Sequence, residues 1–111
     1  MPVSEEFLEY VLDQMEALGP ITSKRMFGGA GIFLHGRMFA LIADDALYLK
    51  ADDTNRSRFE SGGCMPFRPW PDRPPVMPYW EVPTAVLEDR DDLADWASGS
   101  IAAALGAGRT E

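Results

Sequence analysis

The sequence predicts an α+β fold in two layers, an antiparallel sheet meander packed by an N-terminal and a C-terminal helix. Three observations carry this expectation. Apolar residues recur at three- and four-residue spacing near both ends of the 111-residue chain. Strand-like runs separated by two-residue turns fill the stretch 22–51, and no repeat or linker divides the chain. One domain over residues 1–111 follows, at a size suited to a single hydrophobic core.

Residues 4–18 read as the first helix, with Val3, Phe7, Leu8, Val11, Leu12, Met15 and Leu18 forming one apolar stripe. Ser4 suits the N-cap, and Glu5 and Glu6 suit the positive end of the helix dipole. Gly19-Pro20 stops the helix, because proline cannot continue the hydrogen-bond ladder. Strands are expected at Lys24–Phe27, Ala30–Leu34, Met38–Ala43 and Ala46–Lys50, punctuated by Gly28-Gly29, His35-Gly36 and Asp44-Asp45. The run 38–43 has no polar member and is placed as the central strand. Asp52-Asp53 offers N-caps for a short helix over Thr54–Ser61, closed by Gly62-Gly63.

Six prolines interrupt the stretch 66–78, so a strand over Val76–Val82 belongs at a sheet edge. A final helix starts near Asp89 and presents Leu93, Trp96, Ala97, Ser100, Ile101, Ala104 and Leu105 inward, ending at Gly106 before a frayed tail. The expected core comprises Phe7, Val11, Met15, Phe39, Leu41, Leu47, Leu49, Leu93, Trp96 and Ile101. Phe39 and Leu41 share a sheet face by period two, and so do Leu47 and Leu49.

Composition narrows the function. No apolar run approaches the roughly 20 residues that span a bilayer, and the N-terminus lacks a signal-peptide pattern. A cytoplasmic location is expected, and the single cysteine, Cys64, agrees with a reducing compartment. One Cys and one His cannot supply a structural zinc site, and no cofactor loop is recognised, so neither metal nor cofactor is expected. The net charge of −8 opposes generic binding to nucleic acid. It divides unevenly: −5 over residues 1–19, +2 over 20–80 and −5 over 81–111.

Several clusters invite chemistry. Gly28-Gly29-Ala30-Gly31 resembles a phosphate loop in composition, but a strand rather than a helix is expected after it, which makes it a turn or bulge. His35 stands at a hairpin tip, where a catalytic base lacks shielding. Cys64 follows a helix C-terminus, where the dipole disfavours a thiolate. Asp44-Asp45 and Asp52-Asp53 are explained by a turn and a helix start more simply than by a cation. Lys24, Arg25, Arg37, Lys50, Arg56, Arg58, Arg68 and Arg73 mix with Phe27, Phe67, Trp70 and Trp80, a composition that single-stranded nucleic acid can exploit. Six acids in the same window favour salt-bridged surface bases over core aromatics.

The segment Arg25-Met26-Phe27-Gly28-Gly29, followed by Phe39-Ala40-Leu41 and Leu47-Tyr48-Leu49-Lys50, closely resembles the N-terminal domain of the TfoX/Sxy family. The pattern continues through Phe59, Gly63, Pro66, Phe67, Tyr79, Glu81, Val82 and Pro83 to Leu93 and Trp96, covering roughly residues 5–105. The resemblance implies a secretion-chaperone-like sheet-and-helix fold and a competence-regulator-like role exerted with a transcription factor. Full-length regulators carry a second, C-terminal helical domain, for which this chain leaves no room, so a stand-alone copy is expected.

A non-enzymatic interaction module with an unidentified protein partner is therefore expected. The alternatives are a small enzyme using Cys64 and His35 and a weak nucleic-acid binder. The meander leaves two sheet edges, and Pro74, Pro75 and Pro78 protect the one near residues 66–82. The other, with Lys24, Arg25 and Phe27, is the expected contact for a partner strand or a homodimer.

Overall fold

A computed structural model describes residues 5–26, 29–43, 46–67 and 78–107. The chain enters as α1 (Glu5–Gln14), which buries Val11 and Gln14. The expected helix shortens here. Its last turn tightens into a 3₁₀ turn over Glu16–Leu18 before Gly19-Pro20. The sheet follows as β1 (Ile21–Met26), β2 (Gly29–Leu34), β3 (Arg37–Ala43) and β4 (Ala46–Lys50), then β5 (Tyr79–Glu81) after a long excursion. All neighbours pair antiparallel in the order β1-β2-β3-β4-β5. The α+β meander predicted from the sequence is present, with β3 at its centre.

The β2–β3 turn shows how local sequence sets the register. His35 and Gly36 both have positive φ, 52° and 78°, and Leu34 pairs with Arg37 directly across them. This is a two-residue turn whose left-handed positions match the strand twist.

One irregularity in β3 changes which side chains reach the core. Ile32 pairs with Ala40 but Phe33 with Met38, so Phe39 is an extra residue in a bulge. Phe39, Ala40 and Ile42 all join the core cluster beneath the helices. Leu41 is buried but stands outside that cluster, paired with Tyr48. The expectation that Phe39 and Leu41 share a face is thus overturned, because a bulge resets the alternation. Leu47 and Leu49 do share the core face.

The excursion after β4 holds α2 (Arg56–Ser61), which buries Phe59 completely. It starts two residues later than expected because side chains hold 52–55 as a turn. The Asp52 carboxylate accepts from the Thr54 amide and hydroxyl, and Asn55 accepts from the Asp52 amide while donating to the Lys50 carbonyl. These bonds to Thr54 hold the Asp52 carboxyl below its usual pKa. An unpredicted short helix, α3 (Thr84–Leu87), follows Pro83, a residue suited to a helix start.

Next comes α4 (Arg90–Ala107), which begins where Asp89 accepts from the Asp92 amide and continues through Gly106. It packs across β3 and β4 and buries Leu93, Ala97, Ser100 and Ala104. Phe7, Trp96 and Ile101 pack against the core at its partly buried rim, and one apolar expectation needs correcting, since Leu105 is exposed. Trp96 lies edge-on to Phe59 with the Arg58 guanidinium 5.3 Å above its ring. Polar groups tie the two helical ends together. Gln14 donates to the Leu87 carbonyl and accepts from Arg90, which also bonds Asp13. Among the described residues no helix is long and apolar enough to cross a membrane.

On the sheet face away from the core cluster, Tyr79 is buried and its hydroxyl donates to the Met38 carbonyl at 3.3 Å. Burial pushes its pKa up from 10.0 to about 12. The folded chain keeps this proton after the unfolded chain has begun to lose it. Stability is therefore expected to fall between pH 10 and about 12 and to level off beyond. Denaturant melts across that range should show the decline, roughly 2 kcal/mol, for wild type and a much flatter profile for Tyr79→Phe.

Candidate interaction edge

A meander has two edge strands, here β1 and β5, and their backbones are treated differently. The outer side of β5 is already occupied. The Phe67 amide donates to the Tyr79 carbonyl at 2.7 Å, and the Glu81 amide donates to the Met65 carbonyl at 2.9 Å. A bridge between Pro66 and Trp80 completes this short extra pairing. The guard on this edge is thus the segment 65–67. The protection expected from Pro74 and Pro75 lies outside the described residues, as does the 76–77 part of the expected strand.

At β1, ladder parity identifies the outward groups. Leu34 closes the two-residue turn, so its backbone groups face β3 and those of Phe33 and Gly31 face β1. Their partners Thr22 and Lys24 are therefore bonded inward. Ser23 and Arg25 direct their N–H and C=O groups away from the sheet. The Ile21 amide agrees with this parity, since it donates back to the Gly19 carbonyl rather than across the ladder.

The three residues singled out from the sequence are placed as follows. Lys24 is exposed on β1, opposite Gly31, and forms no ion pair among the described residues. Arg25 is exposed and sits 3.5 Å from the Glu5 carboxylate of α1, a surface pair contributing about 0–1 kcal/mol. Phe27 lies outside the described residues. Sequence reasoning missed Ser23, whose contribution is backbone rather than side chain. The sequence held half of the signal: counting back from the His35-Gly36 turn in steps of two fixes the parity of β2, and only the β1–β2 register carries it to β1.

The other candidates separate. His35 is committed to its turn, beside a small apolar recess lined by Leu34, Phe39, Ile101 and Leu105. Cys64 is half-buried in a different recess, of about 180 Å³, with Gly62, Glu81 and Pro83. No described contact joins the two. Burial, with Glu81 nearby, pushes the Cys64 thiol above its usual pKa, the opposite of nucleophile activation. Asp52 is held by Thr54, and Asp53 pairs with Arg56 at 2.8 Å. Asp44-Asp45 lies outside the described residues, among which no three potential ligands gather.

The glycine cluster is a strand entry. Gly29 opens β2, and a Cβ built there would overlap the Ile42 carbonyl oxygen of β3. No helix follows to receive a phosphate. The bases scatter. Arg25, Arg56 and Arg58 pair with Glu5, Asp53 and Asp95, and an open polar groove of about 440 Å³ beside Arg58 is lined by the hydroxyls of Thr54, Ser57, Ser61 and Ser98 together with Asn55 and Asp95. Arg68, Arg73 and Trp70 lie outside the described residues.

Comparison with known proteins identifies the family of this chain. The family model described as TfoX N-terminal domain matches residues 13–104. A curated relative, the DNA transformation protein TfoX1 of Aliivibrio fischeri, is 35% identical over 66 residues. That match covers 60% of this chain and 30% of the relative's length. The matched range takes in the whole sheet together with α2 and α3 and most of α4, and the chain belongs to the TfoX N-terminal domain family.

Proposed function

We propose that this chain is a non-catalytic interaction module that docks an extended partner strand on β1, in a cytoplasmic regulatory role related to DNA transformation. The observation that carries the reading is the asymmetry of the sheet edges. The β5 edge is covered by the chain's own residues 65–67, whereas among the described residues no backbone bond caps the outward groups of Ser23 and Arg25, which lie in the exposed polar run 22–25 of β1. An open edge offers main-chain hydrogen bonds to an added strand. The name of the relative supplies the link to DNA transformation.

Capture of partners from the native cell, read by mass spectrometry and repeated after nuclease treatment, tests the role. Proline at Lys24 is a poor probe, because the Lys24 amide faces β2 and its loss would damage the sheet. Ser23→Pro removes an outward donor and is expected to keep the fold, since an edge strand tolerates proline there. A partner recovered by wild type should be lost with Ser23→Pro, and equal recovery by the two would refute docking at β1.

A further inference from the structure

We infer that the β1 edge receives an acidic extended segment of a second protein rather than a second copy of this chain. The inference rests on the docking role proposed above and adds the chemistry of the occupant. Thr22, Ser23, Lys24 and Arg25 are all exposed, and they comprise two cations and no acid. Side chains alternate along a strand, so Lys24 stands on one face of the edge and Arg25 on the other. Gly31, the cross-strand neighbour of Lys24, has no side chain to compensate its charge. Arg25 has Glu5, but at 3.5 Å between two exposed side chains, a contact that an incoming carboxylate can replace.

An added strand also alternates, so two adjacent acids in it meet Lys24 on one face and Arg25 on the other. Opposite charges facing each other across strands stabilise the pairing, and like charges oppose it. A second copy fails this condition. A two-fold axis at Lys24 or Arg25 sets like charges directly opposite. An axis at Ser23 sets each Lys24 against Thr22 and leaves the cations without a counter-charge from the other strand. Two chains of −8 would also repel each other as they approach.

Two capped eight-residue peptides of alternating threonine and valine test the inference, one with a central glutamate–aspartate pair and one with glutamine–asparagine. Each is titrated into the full chain at low salt while backbone amide resonances are followed. The acidic peptide should shift the Ser23 and Arg25 amides and bind about two- to thirtyfold tighter than its neutral counterpart. That advantage should fade at about 0.5 M salt, and Lys24→Glu should reduce or invert it. Equal affinities at β1 would overturn the acidic preference while leaving strand docking intact. Failure of both peptides to shift Ser23 or Arg25 at millimolar concentration would overturn the inference and count against docking itself. Sedimentation showing a wild-type dimer that Ser23→Pro dissociates would name a second copy as the occupant and overturn the inference as well.

Discussion

Phe59→Ala is expected to destabilise the protein by about 3–5 kcal/mol, the cost of an aromatic cavity in a close-packed core. The ring is fully buried although its helix has only six residues. It meets Trp96 edge-on at 5.1 Å and Trp80 at 6.3 Å, so it joins α2, α4 and β5 at one point. Few other contacts hold so short a helix, and an isolated helix of this length does not form in water. Removing the ring should therefore release α2 from the core as well as leave a void. Urea melts of Phe59→Ala and Phe59→Leu distinguish the cavity from a general intolerance. The leucine variant should lose less than about 1.5 kcal/mol. Trp96→Ala, at a half-buried ring beneath Arg58, should lose about 2 kcal/mol, below the range for a full core aromatic. A loss under about 1 kcal/mol for Phe59→Ala would place the ring outside the core.

Gly29→Ala should cost about 3 kcal/mol or more, although it adds a single methyl group to a backbone that needs no unusual torsion there. The obstacle is the Ile42 carbonyl oxygen, part of the β3 backbone rather than the end of a flexible side chain. To make room, β2 and β3 would have to separate where Ala30 pairs with Ile42, beside the core residues Ala30, Ile32 and Ile42. For a domain of this size the expected loss lowers the melting temperature by roughly 10 °C or more. Gly36→Ala gives a contrast. A side chain there would meet nothing within 4 Å, and the cost comes only from the positive φ of 78°. A melting temperature for Gly29→Ala within about 3 °C of wild type would show that the strands have slack at this point.

These two sites differ in how far the sequence reveals them. The glycine pair is conspicuous in the sequence, where it signals a turn or bulge, but the clash that makes Gly29 necessary comes from Ile42, thirteen residues away. Phe59 carries no local mark of depth, because one aromatic in a polar six-residue helix gives no periodic stripe. The candidate edge divides in the same way. Lys24 and Arg25 were legible as polar guards of an edge strand. The outward backbone of Ser23 follows only when strand pairing is combined with the parity of the turn.

The sequence by itself determined the elements built from neighbouring residues. The His35-Gly36 turn, the stop at Gly19-Pro20 and the Asp89 start of α4 all rest on torsions and hydrogen bonds spanning a few positions. Turn and cap chemistry is written at that range. Tertiary structure alone decided the bulge that turns Phe39 into the core, the covering of β5 by residues 65–67 and the Gln14–Arg90 tie between α1 and α4. Each of these depends on groups distant in sequence, whose partners are fixed only when the layers close and every buried polar group must find a bond. Even then Ser100, buried on α4, has no hydrogen-bond partner for its hydroxyl among the described residues.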